Sequence, residues 1–360
     1  MSRLLAVAVV VVVVLGAIGA VDLLRSTRPP SAQVAAIAAA GLHVVGNRLE
    51  NAAGRPVVLR GVNRSGTEYA CVHGSGIFDG PSSAASVRAI RSWGATLVRV
   101  PINEDCWLGI NGVSKARSGA AYRAAIVAYV AQLQRRGITP EVSLMWAAPG
   151  RYLATYQPAA PDADHAPALW TSLARIFRNN HDLILGVWSE PAVSASCFAN
   201  GGVCGATYGP SNTPYRSAGT KQAVRLIRAA GFGGVIAIPG VEYASDLSAW
   251  LANEPHDPLG QLVAEAHVYT NQPCSTTGCL DRTMLPVARR VPLLFGEVGQ
   301  QDCSTGALQR ILGWAATHTV SWAAWTWDTW GNCEALISSY AGTPKNPYGA
   351  FIRRTLTPHA

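Results

Sequence analysis

Two glutamates stand out by their surroundings: Glu190 in GVWSEPAV, directly ahead of a proline, and Glu297 in LLFGEVGQ. Each follows a short apolar run of the kind that forms a buried strand, so each is presented at a strand end. Arg99 lies inside another such run, LVRVPINEDCW, while His267 and Tyr269 end AEAHVYT and Trp325 and Trp327 belong to SWAAWTWDTW. Cleaving an acetal needs a proton delivered to the leaving oxygen and an anion facing the developing oxocarbenium ion, and two carboxyl groups in different environments can supply both. Arg99 is the partner that would hold one of them ionised. Indole rings offer sugars a flat apolar surface. Each residue also has a plainer reading, since a Glu at a strand end is usually a surface group, a buried Arg can be purely structural, and a Trp run can be core. The chemical reading gains because all of them converge on one place if the strands share one sheet.

The elements that must position them alternate along the chain. Strand-like runs at Val57–Val62, Thr96–Pro101, Thr139–Trp146, Leu183–Trp188, Gly234–Pro239, Leu262–Tyr269, Pro292–Glu297 and Val320–Trp327 are separated by amphipathic stretches. Tyr122, Ile126, Val130 and Leu133 form one such stretch and Leu169, Leu173, Ile176 and Phe177 another, each at the spacing of a helix with one buried face. Eight alternations of strand and helix predict an α/β fold, a (β/α)8 TIM barrel, whose functional residues lie at the C-terminal ends of the strands. Glu190 and Glu297 then close the fourth and seventh strands, on opposite sides of the ring. Ahead of the first strand, LHVVGNRLEN, the turn Ala52, Ala53, Gly54, and RPVVLRGVN read as a short β-hairpin.

The 49% hydrophobic content supplies a packed core and excludes global disorder. Leu4 to Val21 is an unbroken apolar run, which predicts a signal peptide or membrane anchor over residues 1–25, and the Pro- and Ala-rich stretch 26–41 reads as a linker to a domain over 42–360. The eight cysteines are even in number. Zinc is the competing use, but no pair has two-residue spacing and no histidines cluster beside them, so disulfides formed in an oxidising compartment are expected. Cys197 should pair with Cys204 and Cys274 with Cys279. Cys71 with Cys106, and Cys303 with Cys333, would join neighbouring loops of the barrel rim. The expected location is secreted or cell-envelope, with the N-terminal segment as a membrane tether if uncleaved. A net charge of +8 would suit nucleic acid, yet the basic residues never exceed doublets such as Arg135 and Arg136, so no nucleic-acid partner is expected.

The stretches LRGVN, LVRVPINEDCW, SEPA, HVY, FGEVG and WAAWTWDTWGNC resemble those of glycoside hydrolase family five, the cellulase-like retaining glycosidases, over Leu42 to Leu356. The resemblance implies an acid/base role for Glu190, a nucleophile role for Glu297 supported by Arg99 and Tyr269, and substrate contact by His267 and a strand-eight tryptophan, best matched by Trp325. No cofactor and no metal are expected. In the family pattern an Asn usually stands where this chain has Ser189, and a His where it has Met145 ahead of Trp146. Both changes remove a polar group expected near the cleaved sugar.

The leading function is therefore a monomeric retaining hydrolase of a polysaccharide or oligosaccharide, endo-β-glucanase-like. The alternatives are a carbohydrate-binding barrel that has lost efficient chemistry, and a glycosidase with non-glucan specificity. Retention of both glutamates argues for an enzyme, because a pure binder has no use for two convergent carboxylates.

Overall fold

The computed structural model describes residues 41–357. The predicted signal or anchor at 1–25 and all but the last residue of the linker at 26–41 lie outside the described residues. Among the described residues no helix is long and apolar enough to cross a membrane.

Eight parallel strands close into a barrel: β4 (Arg60–Asn63), β5 (Leu97–Asn103), β6 (Thr139–Trp146), β7 (Ile184–Gly186), β10 (Val235–Pro239), β11 (Leu262–Tyr269), β12 (Leu293–Gly299) and β13 (Ser321–Ala324). Strand follows strand around the ring in chain order, and β13 returns to pair with β4. Period-two alternation decides what each strand does. On β5, Val98, Val100 and Ile102 join the large apolar shell packed against the helices, while Leu97 and Arg99 point into the barrel. On β11, Ala264, Ala266 and Val268 go outward, and Glu265, His267 and Tyr269 go inward.

Two helices show how that shell is built. Ala120–Gln134 buries Tyr122, Ile126, Tyr129, Val130 and Leu133. Ala166–Phe177 buries Leu169, Trp170, Leu173, Ala174 and Phe177. Ile176, expected on that face, is 40% exposed. At 100° per residue it falls about 90° from the middle of the face, and Trp170 takes the buried place.

The segment ahead of the barrel forms three antiparallel strands, β1 (His43–Val45), β2 (Arg48–Glu50) and β3 (Pro56–Val57). The first arm of the expected hairpin folds back on itself at Gly46, which has φ +61° and no side chain to oppose the turn. Leu42 and Leu49 pack against Leu97, Ile184, Val235, Val263 and Leu294, plugging the N-terminal mouth of the barrel. Gln261 fixes the plug by accepting from the Val44 amide at 2.7 Å.

Insertions gather at the opposite mouth. The loop after β7 carries a hairpin of β8 (Gly202–Tyr208) and β9 (Thr213–Ser217), and a second small pair, β14 (Ile337–Ser339) and β15 (Thr343–Pro344), follows β13. Four disulfides staple this rim: Cys71 to Cys106, Cys197 to Cys204, Cys274 to Cys279 and Cys303 to Cys333. The first links the loops after β4 and β5, and the last those after β12 and β13.

Candidate active site

Glu297 sits on β12 just past a register shift, and only 2% of it is exposed. Its Oε1 accepts from Arg99 at 2.7 Å, and its Oε2 accepts from the Tyr269 hydroxyl at 2.6 Å. Both oxygens are thereby fixed in direction. Burial pushes the Tyr269 hydroxyl well above its usual range, and the neighbouring Glu297 carboxylate adds to the effect, so Tyr269 acts as a fixed donor.

Glu190 lies beyond the end of β7, with its side chain 21% exposed. Its Oε1 faces His267 Nδ1 at 3.0 Å, and Gln157 Nε2 donates to its backbone carbonyl at 3.1 Å. Glu190, His267 and Glu297 present acceptor or donor atoms all within 4.8 Å of one another. Such a spacing suits a retaining pair, whose carboxyl groups stand about 5–5.5 Å apart, whereas an inverting pair stands roughly 6.5–9.5 Å apart.

Arg99 is wholly buried and organises the floor. It donates to Asn63 Oδ1 at 3.1 Å and Ser189 Oγ at 2.9 Å, and its Nε stands 3.4 Å from both Glu141 and Glu265. Burial alone would lower its proton affinity, but Glu297, Glu265 and Glu141 overcome it and hold the guanidinium charged. Glu141 is raised well above the carboxylate range, first by burial and then by Glu265. Burial also opposes a charge on His267, yet Glu297, Glu190 and Glu265 together lift it to about 10. It is therefore an imidazolium at neutral pH.

Several sequence expectations shift in position. His267, expected against substrate, has no exposed surface and lies beneath the two glutamates. Ser189 is fully buried too, and it faces Arg99 and Glu297 rather than open space. Trp325 lines the cleft with Met145, Glu190, Tyr269 and Glu297, but Trp327 does not. Trp327 is a core residue: its amide bonds to Asn63 O at 2.8 Å, extending the pairing toward β4, and its ring packs edge-on against Trp93 at 4.7 Å. Trp146 packs against Tyr69 and His73, and Tyr69 continues through Trp330 to Trp325. The cleft itself, about 270 Å³, is also lined by Tyr243, Asn271, Gln272, Gln301 and Glu334.

The family model described as Cellulase (glycosyl hydrolase family 5) matches residues 51–331. The chain belongs to glycosyl hydrolase family 5. Its enzyme class is thus that of the retaining O-glycosyl hydrolases, which work by double displacement. A "Beta-mannanase/endoglucanase A" of Caldicellulosiruptor saccharolyticus is 25% identical over 267 residues, which are 71% of this chain and 17% of that protein. The chain thus spans about a sixth of that relative. A solved beta-glucanase of Saccharophagus degradans superposes with a TM-score of 0.66 at 17% identity, covering 88% of this chain and 92% of that one. A beta-mannanase of Streptomyces thermolilacinus superposes with a TM-score of 0.62 at 20% identity, covering 87% and 93%. At these identities the two structures bear on the fold alone.

Sequence reading missed Glu68, a wholly buried carboxyl beside this family 5 site. Burial pushes it up to about 8 from the usual 4.5, although the Gly66 amide donates to it at 2.7 Å. The folded state therefore binds a proton that the unfolded chain has released, and stability falls as pH rises from about 5 to 8. Glu68→Gln cannot ionise and keeps an acceptor for Gly66. In urea unfolding the variant should gain on the wild type as pH rises through that window. A difference that stays constant with pH would contradict the assignment.

Proposed function

We propose that this chain is an endo-acting hydrolase of β-linked glucan or mannan, with Glu297 as nucleophile and Glu190 as acid/base. The observation that carries the reading is the placement of the two carboxylates. Glu297 is held by hydrogen bonds from Arg99 and Tyr269, and Glu190, at the edge of the open cleft, presents a carboxylate oxygen within 4.8 Å of it. In the first step Glu297 attacks the anomeric carbon as Glu190 gives its proton to the departing oxygen. In the second, Glu190 takes a proton from water, which then displaces Glu297. Trp325, and the row Trp330, Tyr69 and Trp146 beyond it, would carry sugar rings by their C–H faces. A relative named for both mannanase and endoglucanase action supports the substrate class. The test is release of reducing ends from β-1,4-glucan and β-1,4-mannan, with the chain length of products followed over time. Early appearance of mixed oligomers supports the proposal, and no release from either polymer contradicts it.

A second reading concerns specificity. Ser189 is turned down to Arg99 and Met145 lines the cleft, so neither supplies the polar group that family resemblance leads one to expect beside the cleaved sugar. A bond to the sugar 2-hydroxyl that strengthens in the transition state supplies part of several kcal/mol in such enzymes. Ser189→Asn with Met145→His should therefore raise kcat/KM on β-1,4-glucan oligosaccharides by roughly tenfold relative to mannan. An unchanged ratio between the two polymers would remove Ser189 and Met145 from the account of specificity.

Export is part of the proposal. Four disulfides support folding in an oxidising compartment, with residues 1–25 as the signal or tether.

A further inference from the structure

Beneath the cleft lies a layer of charge that the two-step reaction does not use. Glu265 is completely buried on β11, two residues before His267 and on the same inward face. Its Oε1 is 3.2 Å from His267 Nε2 and 3.4 Å from Arg99 Nε, while its Oε2 has no hydrogen-bond partner. The adjacent strand is shaped around it: a Cβ at Gly296 would overlap the Glu265 carboxylate. A buried carboxylate is costly unless something requires it.

What it touches indicates the use. His267 has two ring nitrogens, one on Glu265 and the other on Glu190 Oε1 at 3.0 Å, with Glu297 Oε1 3.6 Å from the same Nδ1. A neutral imidazole in that place could accept the proton of Glu190 at Nδ1, and the proton would then be lost to the leaving group. An imidazolium cannot accept it. With both N–H groups donating, Glu190 Oε1 is an acceptor, and the acid proton is directed to Oε2, whose own contact is a long one of 3.4 Å to Gln157. The contacts agree with this arrangement: Glu265 stands between Arg99 and His267, and Glu297 faces both of them from β12.

We propose that Glu265 is a positioning residue for acid/base catalysis, keeping His267 doubly protonated so that the transferable proton resides on Glu190 Oε2. This rests on the reading of Glu190 as acid/base. No bond to substrate is made by Glu265, and no proton leaves the Glu265–His267 pair during the cycle. The proton moves from Glu190 to the glycosidic oxygen in the first step and returns to Glu190 from water in the second. Every charged group facing His267 enters the argument: Glu190 from the loop after β7, Glu265 from its own strand, Glu297 from β12, and Arg99 from β5 with Glu141 from β6 behind it.

The experiment compares Glu265→Gln with the wild type on two kinds of substrate. One is an oligosaccharide whose leaving group needs a proton, and the other is a dinitrophenyl glycoside of the same sugar, whose leaving group does not. The expected result is a fall in kcat/KM of about 10²-fold on the oligosaccharide and less than about threefold on the aryl glycoside, because general acid catalysis is lost only where it is needed. Equal falls on both, or no fall on either, would overturn the proposal. Glu190→Ala in the same assay keeps the two claims apart. If Glu190→Ala lacks the leaving-group dependence and rescue by azide, the acid/base assignment itself is wrong. If Glu190→Ala shows both while Glu265→Gln loses activity uniformly, only the role of Glu265 is wrong. Should Glu265→Gln not fold, the imidazole ¹⁵N resonances of His267 in the wild-type protein at pH 7 decide. Two protonated nitrogens are expected, and a neutral ring would overturn the proposal.

Discussion

Glu297→Gln is expected to lower kcat by roughly four orders of magnitude or more while leaving the fold intact, as removal of a covalent nucleophile does in other hydrolases. The substitution changes charge but barely changes shape. A carboxamide can still accept from Arg99 or Tyr269, which now hold Glu297 at 2.7 and 2.6 Å, but it cannot attack the anomeric carbon. The loss should therefore fall on kcat and appear on every substrate, including aryl glycosides that need no proton. That pattern differs from the one expected of Glu190→Ala, where a good leaving group restores the first step. Steady-state kinetics on both substrate types, with a thermal melt of the variant, checks the outcome. Near-normal turnover in Glu297→Gln would reject the nucleophile.

The second large effect is on stability. Arg99 has no exposed surface and stands at the centre of Glu141, Glu265 and Glu297. Arg99→Met fills much of the same volume but leaves buried carboxylates with no fixed cation except His267. Breaking a buried ion pair in this one-sided way typically costs about 3–5 kcal/mol, because the stranded charge has neither water nor partner. The variant should unfold at markedly lower urea, or fail to fold. Arg99→Lys should recover only part of the loss, since an ammonium cannot reach Asn63, Ser189 and Glu297 together as the planar guanidinium does. Wild-type stability in Arg99→Met would mean that the charged layer does not hold the barrel floor.

The barrel was legible in the sequence because its strands are buried on both faces and read as apolar runs. The eight ranges read from those runs overlap all eight strands of the ring. The last one ran too far. Val320–Trp327 reads as continuous, but the regular strand ends at Ala324, and the chain then sends Trp325 to the cleft and Trp327 into the core against Trp93. Two tryptophans two residues apart look equivalent to periodicity once the strand has ended. The single hairpin was misjudged for a related reason: the turn at Gly46 and Asn47 is short and sits inside an alternating stretch, so the first arm looked like one strand.

The candidate site divides in the same way. Glu190, Glu297 and Tyr269 sit at or near strand ends, where a barrel shows its chemistry, and Arg99 is conspicuous as a lone cation inside the apolar run of β5. Glu265 was passed over although its signal was present, since Glu265, His267 and Tyr269 alternate along AEAHVYT and must share a face. Glu141 and Ser143 repeat the pattern on β6. An acidic side chain in mid-strand gives no reason to expect burial until its cation is known. That cation, Arg99, comes from β5, a contact that no local reading of β11 contains. Tyr69, Trp330 and Gln157 lie on loops whose course depends on the disulfide-stapled rim, and no periodicity places them.

The most direct test of the central claim is to trap the covalent intermediate with a 2-deoxy-2-fluoro glycoside carrying a good leaving group. The fluorine slows both steps, and the leaving group lets the first outrun the second, so a glycosyl-enzyme accumulates. Mass spectrometry of the intact protein should show one added glycosyl unit, and peptide mapping should place it on Glu297. A label on any other residue, or rapid turnover that releases product of inverted anomeric configuration with no label at all, would contradict the account.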